Sequence, residues 1–268
     1  MPKVETVSSP ANPLLKAVRK AVMGGGLTAE GLCVAESFHL LDEALRSRCA
    51  VKIVIAAQSA QSEVEARLGH SVDTRLVVLP DKLFEGLAAT ESTQGVMALV
   101  TLPSWNVDDL FEGRSLVVVL DGVQDPGNAG AIVRAAEAFG ATGVLFLKGT
   151  VNPFNPKTLR ASAGSLFRVP FVYGIDSAQT REILTRPELA LYASVPRRSA
   201  NHVKTLGDAD LTHPFAVIIG SEGHGVSEAS FLNAISLSIP TKGVESLNAA
   251  MAASIILYEA QRQRSVQS

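Results

Sequence analysis

The 268-residue chain has only two cysteines, Cys33 and Cys49, and they lack CxxC spacing. That scarcity excludes a disulfide framework or a thiolate zinc site, so no metal is expected and both thiols are assigned to the core. No apolar run is long enough to span a bilayer; AAMAASIIL near the C-terminus falls far short of the ~20 residues a crossing helix needs. The opening residues MPKVETVSSPANP lack the features of a signal peptide. The expectation is a soluble, cytoplasmic protein without a membrane partner. There is no long polar tract, and 47% of the residues are hydrophobic, so nearly all of the chain is expected to fold, with disorder only at its two ends. A net charge of −2 gives no global attraction to nucleic acid.

The distribution of charge says more than its sum. Between Glu137 and Asp176 there is no acid, while Lys148, Lys157, Arg160 and Arg168 all fall there. Between Glu188 and Asp208 lie Arg197, Arg198, His202 and Lys204, again without an acid. Such zones are either solvated loops or basic surface for a partner.

Hydrophobic periodicity divides the chain near residue 104. Residues 1–104 alternate helix-like and strand-like segments, from PLLKAVRKAVM and CVAE to DKLFEGLAA and GVMALV, and predict a small α/β or α+β unit. LPSWNVDDLFEGR then reads as a linker. Residues 105–268 open on the continuous apolar strand SLVVVLD and repeat strand, helix, strand through GVLFLK, NPKTLRASAGSLF, RVPFV, SAQTREILT, LALYASV, FAVIIG, a helix through SEASFLNA, SLSIP and LNAAMAASIILYEAQRQR. That pattern predicts a parallel, Rossmann-like sheet with helices on its faces. Ligands of such sheets bind at the carboxyl ends of the strands, which singles out three loops.

The first is DPGNAGAIVRAAEAFG, residues 125–140. Asp125-Pro126-Gly127 is turn chemistry, and Asn128 reads as the helix N-cap or as a holder of phosphate or ribose. Helical spacing sets Ile132, Ala135, Ala136 and Phe139 on one face, and Arg134 with Gly130, Ala131 and Ala138 on a second face stripped of bulk. Arg134 is then either a surface charge paired with Glu137 or the occupant of a gap between close chains. The second loop, IIGSEGHG, places Gly220, Gly223 and Gly225 around Ser221, Glu222 and His224. Glu222 suits a functional carboxylate or a cap of the next helix; His224 has no partner pattern for a metal or a triad. The third, IPTKGVESLNAAMAAS, passes through Ser246-Leu247-Asn248 into a helix of Ala249, Ala250, Ala252, Ala253 and Ser254, small enough for another segment to run very close.

In this order and spacing, DPGNAGAIVRAAEAFGA, IIGSEGHGVS and LSIPTKGVESLNAAMAASIILYEAQRQ resemble the three motifs of the SpoU (TrmH-like) family of RNA ribose 2′-O-methyltransferases, of the SPOUT class. NPLLKAVRK and TQGVMALV in the first hundred residues are similar to the ribosomal-protein-like substrate-binding domain that often precedes it. The resemblance implies an RNA substrate-binding domain over 1–104 and a SPOUT catalytic domain over 105–268 with a deep trefoil knot, although knots are otherwise nearly absent from proteins. It implies S-adenosyl-L-methionine as cofactor, held near Gly220, Ile239 and Leu247. It places Asn128, Arg134, Glu222, Ser246 and Asn248 on the functional polar positions. It also implies a homodimer and an RNA partner, ribosomal RNA ahead of transfer RNA, with the two basic zones along the RNA path. The chain departs from the family's pattern at Thr241, at Ser221 and at Ala-Ala-Met after Asn248, without removing a proposed catalytic group.

The implied reaction is attack of a ribose hydroxyl on a sulfonium methyl, in which alignment supplies much of the rate. Arg134 is either the general base, as assigned in the family, or a bidentate grip on the neighbouring phosphate, the role better suited to a guanidinium that stays protonated. Two other functions compete. A non-catalytic RNA-binding relative would not need the five polar positions. A nicotinamide-dependent oxidoreductase needs a dinucleotide fingerprint that the second loop does not supply.

Overall fold

A computed structural model describes residues 3–69, 73–90, 92–196, 203–227 and 233–266. Arg197, Arg198, His202 and most of the expected helix through SEASFLNA lie outside them. The chain forms two compact units, Met1–Ser104 with Phe154–Arg168, and Trp105–Pro153 with Val169–Ser268.

The first unit contains β1 (Lys3–Thr6), α1 (Pro13–Gly24), β2 (Cys33–Glu36), α2 (Phe38–Arg46), β3 (Ala50–Ala57), α3 (Gln61–Leu68), β4 (Arg75–Leu79), α4 (Asp81–Glu85) and β5 (Val96–Thr101). Its sheet runs β1-β4-β3-β5-β2, parallel from β1 to β3 and antiparallel around β5. α1 starts where the Asn12 side chain accepts the Leu14 N–H with Pro13 at the first helical position, and stops at Gly25, whose φ is 62°. Leu15, Val18 and Ala21 form its buried stripe, while Lys16 and Lys20 lie exposed on the other side. Cys33 is buried, which pushes its thiol up to about 12; Cys49 is half-buried.

The rest of the chain supplies β6 (Leu116–Asp121), α5 (Pro126–Ala138), β7 (Gly143–Leu147), α6 (Pro156–Ala161), β8 (Phe171–Ile175), α7 (Ser177–Leu184), β9 (Ala190–Ser194), β10 (Lys204–Thr205), β11 (Phe215–Gly220), β12 (Ile235–Ser238) and α8 (Ala249–Ser265). Seven strands pair in the order β10-β12-β9-β11-β6-β7-β8, all parallel. β6 is buried along its whole length, as a central strand covered on both faces must be. At its amino end, Arg264 of α8 donates to the carbonyls of Leu211, Arg114, Ser115 and His213 at 2.8–3.0 Å. Burial lowers its pKa to about 10, so it stays charged at neutral pH and fastens the last helix to the strand entries.

One segment departs from the linear division. α6 and the following turn, Ser165–Phe167, belong to the first unit, with Phe154, Leu159, Leu166 and Phe167 buried. Arg168 pairs with Glu43 at 2.5 Å, and Arg160 lies 3.5 Å from Glu36, which is 3% exposed. Two of the four cations in the acid-free window are therefore paired with acids more than a hundred residues earlier. Two cations that the linear reading set along an RNA path are committed to ion pairs, while Lys148 and Lys157 stay exposed.

Candidate functional site

β6 and β11 run in register from Leu116 beside Phe215 to Asp121 beside Gly220, so the first and second loops leave the sheet side by side. The second loop folds back at once. Ser221 and Gly225 exchange two backbone hydrogen bonds of 3.1 and 2.9 Å, and the Ser221 hydroxyl accepts the His224 N–H at 3.2 Å. A Cβ on Gly220 would sit 2.1–2.3 Å from the Gly225 carbonyl and the Val226 nitrogen. Glycine is required at 220 because the loop's own backbone occupies the space of a side chain.

The first loop corrects one expectation. Asp125, not Asn128, caps α5: its carboxylate accepts the Asn128 N–H at 2.7 Å, with Pro126 at the first helical position. An acid directly before proline was the available signal. With capping assigned to Asp125, the Asn128 side chain is released for other contacts.

Those contacts link all three loops. The Asn128 amide nitrogen donates to Glu222 Oε1, and its oxygen accepts from the Asn248 amide nitrogen at 2.9 Å. The Asn248 oxygen in turn accepts the Ala250 and Met251 N–H groups at 2.9 and 3.3 Å, capping α8. Three residues separated by 94 and 120 positions thus form one polar chain.

Beside this chain opens a cavity of about 690 Å³, lined among others by Gly220, Glu222, Ile239, Ser246, Leu247 and Asn248. The volume lies within the roughly 300–1,000 Å³ usual for small-molecule sites. Its walls combine apolar Ile219, Ile239 and Leu247 with the carboxylates of Glu222 and Glu245, a surface suited to an amphipathic ligand carrying positive charge. His224 lines it as part of the tight turn. Thr241 lies on the wall with its hydroxyl donating to the Val244 carbonyl at 2.8 Å.

Arg134 stands apart from the cavity wall. It is exposed on α5, six residues beyond Asn128 and so ~9 Å further along the axis. It makes no hydrogen bond or ion pair with another described residue, so the surface pair with Glu137 is not formed. Of the small residues expected on its face, Gly130 is buried, Ala131 half-buried and Ala138 exposed; α5 and α8 pack together, with Ala129, Gly130, Val133 and Ala136 of α5 and Ala249, Ala250 and Ala253 of α8 buried. Phe139 and Tyr258 meet edge-on at 5.9 Å. Sequence reasoning missed Asp121, buried under the second loop, and the capping role of Asp125.

Comparison with known proteins adds the context. Residues 115–258 match the profile of the SpoU rRNA Methylase family, and residues 12–98 match the MRM3-like substrate binding domain. The chain is 31% identical to the 23S rRNA (guanosine(2553)-2′-O)-methyltransferase RlmP of Bacillus subtilis, covering 95% of this chain and 98% of that protein. It is 33% identical to the 23S rRNA (uridine(2479)-2′-O)-methyltransferase of Streptomyces viridochromogenes, covering 71% and 68%. Among solved structures, the SpoU methyltransferase AviRb of the same organism, in complex with the cofactor AdoMet, superposes with a TM-score of 0.82 at 26% identity over 95% of this chain and 98% of that one.

Asn248 has two tasks that substitution separates. Asn248→Ala removes the cap and is expected to cost about 1 kcal/mol in urea denaturation. Asn248→Ser keeps a capping oxygen and loses the amide donated to Asn128, so stability should stay within about 0.5 kcal/mol of the parent. Equal destabilisation by both would assign the stability to the Asn128 link instead.

Proposed function

The chain belongs to the SpoU rRNA methylase family, and from that membership we propose how its residues transfer a methyl group from S-adenosylmethionine to a ribose 2′-hydroxyl of RNA, ribosomal RNA being the favoured substrate and the cytoplasm its place of action. The observation that carries the reading is the polar chain through Glu222, Asn128 and Asn248 at the mouth of the cavity. Bound there, the cofactor supplies a methyl group activated on a sulfonium. The residues present fit it: an amphipathic cavity of adequate volume, with Glu222 and Glu245 among its lining residues.

In this reading Gly220, Ile239 and Leu247 hold the donor through backbone groups and apolar walls. Glu222 and Asn248 fix the second and third loops against Asn128, and Ser246, exposed on the wall, orients the ribose. Arg134 grips the phosphate beside the target ribose in bidentate fashion, and its positive charge favours the alkoxide that develops as the hydroxyl releases its proton to solvent. Its lack of another partner among the described residues supports that role. Alignment, rather than strong base catalysis, then provides most of the acceleration.

We propose two finer features. The first is the trefoil knot, with the segment leading into α8 passing through a loop of the chain; the Gly220–Gly225 contact and the alanine stripe of α8 supply the closeness threading needs. Stretched between its termini, a knotted chain shows a contour length short of the full extension, and full extension would exclude the knot. The second is a homodimer. Met251, Ile255 and Tyr258 of α8 are 38–56% exposed, a row of large apolar side chains that a second copy would cover. An active monomer in sedimentation would end that proposal.

We also assign RNA capture to the first unit. Lys16 and Lys20 project from α1, a helix without an acid, and neither has an ion pair among the described residues. Paired Lys→Glu substitution at 16 and 20 is expected to raise KM for RNA about tenfold and to flatten its salt dependence by roughly one unit of slope per lost phosphate contact. KM for the donor should not move.

The principal test incubates tritiated S-adenosylmethionine and the protein with total RNA and maps ribose methylation. Label confined to 2′-O positions is expected; none in any RNA would favour a non-catalytic RNA-binding relative. Arg134→Ala should lower transfer by about 100-fold or more, the loss typical of a preorganised charge at a reacting centre. Donor binding in calorimetry should be preserved, and equal loss of both in a folded protein would contradict the role.

A further inference from the structure

β6 carries five apolar side chains in succession, Leu116 to Leu120, all fully buried, and then ends on Asp121, which is 9% exposed. A carboxylate in that position is costly unless something bonds to it. Its Oδ2 accepts the backbone N–H of Ser227 at 2.7 Å. Ser227 stands at the far end of the second loop, just after Val226. The near end is fixed separately, by the Ser221–Gly225 pair and by Gly220 lying flat against Gly225. The loop between these anchors, Ser221 to Val226, contributes six consecutive residues to the cavity wall. Asp121 does not line the cavity itself.

We propose that Asp121 is a positioning residue for methyl transfer, holding the 221–226 loop in its donor-binding shape through the Ser227 amide while touching neither donor nor RNA. The inference rests on the cavity being the donor site. Its physical content is preorganisation: a loop closed at one end only would have to be ordered by each incoming donor, and that ordering is subtracted from affinity. The Ser221–Gly225 turn fixes the shape of the loop, and the Asp121 bond fixes its placement on the strand ends. Asparagine at 121 can present an oxygen to the same N–H; leucine, of similar size, removes the acceptor and with it the tie between Ser227 and the end of β6.

The test compares Asp121→Leu and Asp121→Asn with the parent enzyme, measuring S-adenosylmethionine binding by calorimetry and both steady-state constants with RNA. Asp121→Leu is expected to raise Kd and KM for the donor about tenfold, equivalent to about 1.4 kcal/mol, with kcat at saturating donor and KM for RNA within about twofold. Asp121→Asn should recover most of the donor affinity. Hydrogen exchange adds a readout that survives a folding failure of the leucine variant: the Ser227 amide should be protected in the parent and exchange faster in Asp121→Asn. Unchanged donor KM in both variants, or a parallel fall of kcat and RNA affinity, overturns the positioning role. A parent protein that binds no S-adenosylmethionine would instead overturn the reading of the cavity, and that control is measured first.

Discussion

The two hydrogen bonds of the Asn128 side chain are the joint on which the arrangement of the three loops depends. An ionised carboxylate such as Glu222 only accepts, and the free N–H groups at the start of α8 only donate. Between those fixed ends, each amide has one orientation that satisfies the chain: nitrogen toward Glu222 and oxygen toward Asn248 for Asn128, nitrogen toward Asn128 and oxygen toward the helix for Asn248. Three loops that could each move independently are thereby given one relative placement. Rotating either amide would set like against like at both of its contacts.

That joint is reachable only because the backbone around it is crowded by small residues. The register of β6 with β11 brings Asp121 and Gly220 to the same rim, and the missing side chain at 220 lets the second loop fold onto the strand that feeds it. Buried alanines on α5 and α8 let those helices close in behind the third loop. Far from the site, Arg264 anchors the other end of α8 to four carbonyls, so the helix whose first turn Asn248 caps is also held near its last. Placement of the Asn248 side chain is thus a property of the whole sheet-and-helix unit.

Much of this could be read from the sequence because repetition and local chemistry leave marks there. The apolar run of β6, the amphipathic spacing of α1 and the glycine and serine loops predict their elements and the three segments that meet at the rim. Contacts set by distance along the chain leave no such mark. Nothing near Arg160 or Arg168 announces Glu36 or Glu43, and so the two arginines read as free cations. The short strands β1 and β10 offer four and two residues, too few for a period to show. Asn128 read as a cap because asparagine before a helix usually is one; Asp125 before Pro126 competed for that place and won, as proline fixes the first helical φ and the aspartate oxygen reaches the amide of Asn128. Asp121 looked like the last residue of a strand, since the amide it serves lies 106 positions on.

The proposed division of labour between the two units bears on target choice. The two ribosomal RNA relatives are named for different nucleosides, one guanosine and one uridine. Polar groups that align a ribose and a methyl donor act on atoms every nucleotide possesses, so they carry little information about the base. A phosphate grip by Arg134 is equally indifferent to sequence. On the proposed assignment, discrimination falls to surfaces that read RNA shape, and the exposed lysines of α1 are suited to holding a folded backbone in register. The chemistry at the rim can then stay fixed while the RNA presented to it changes, because alignment of the ribose depends on the polar chain and choice of the ribose does not.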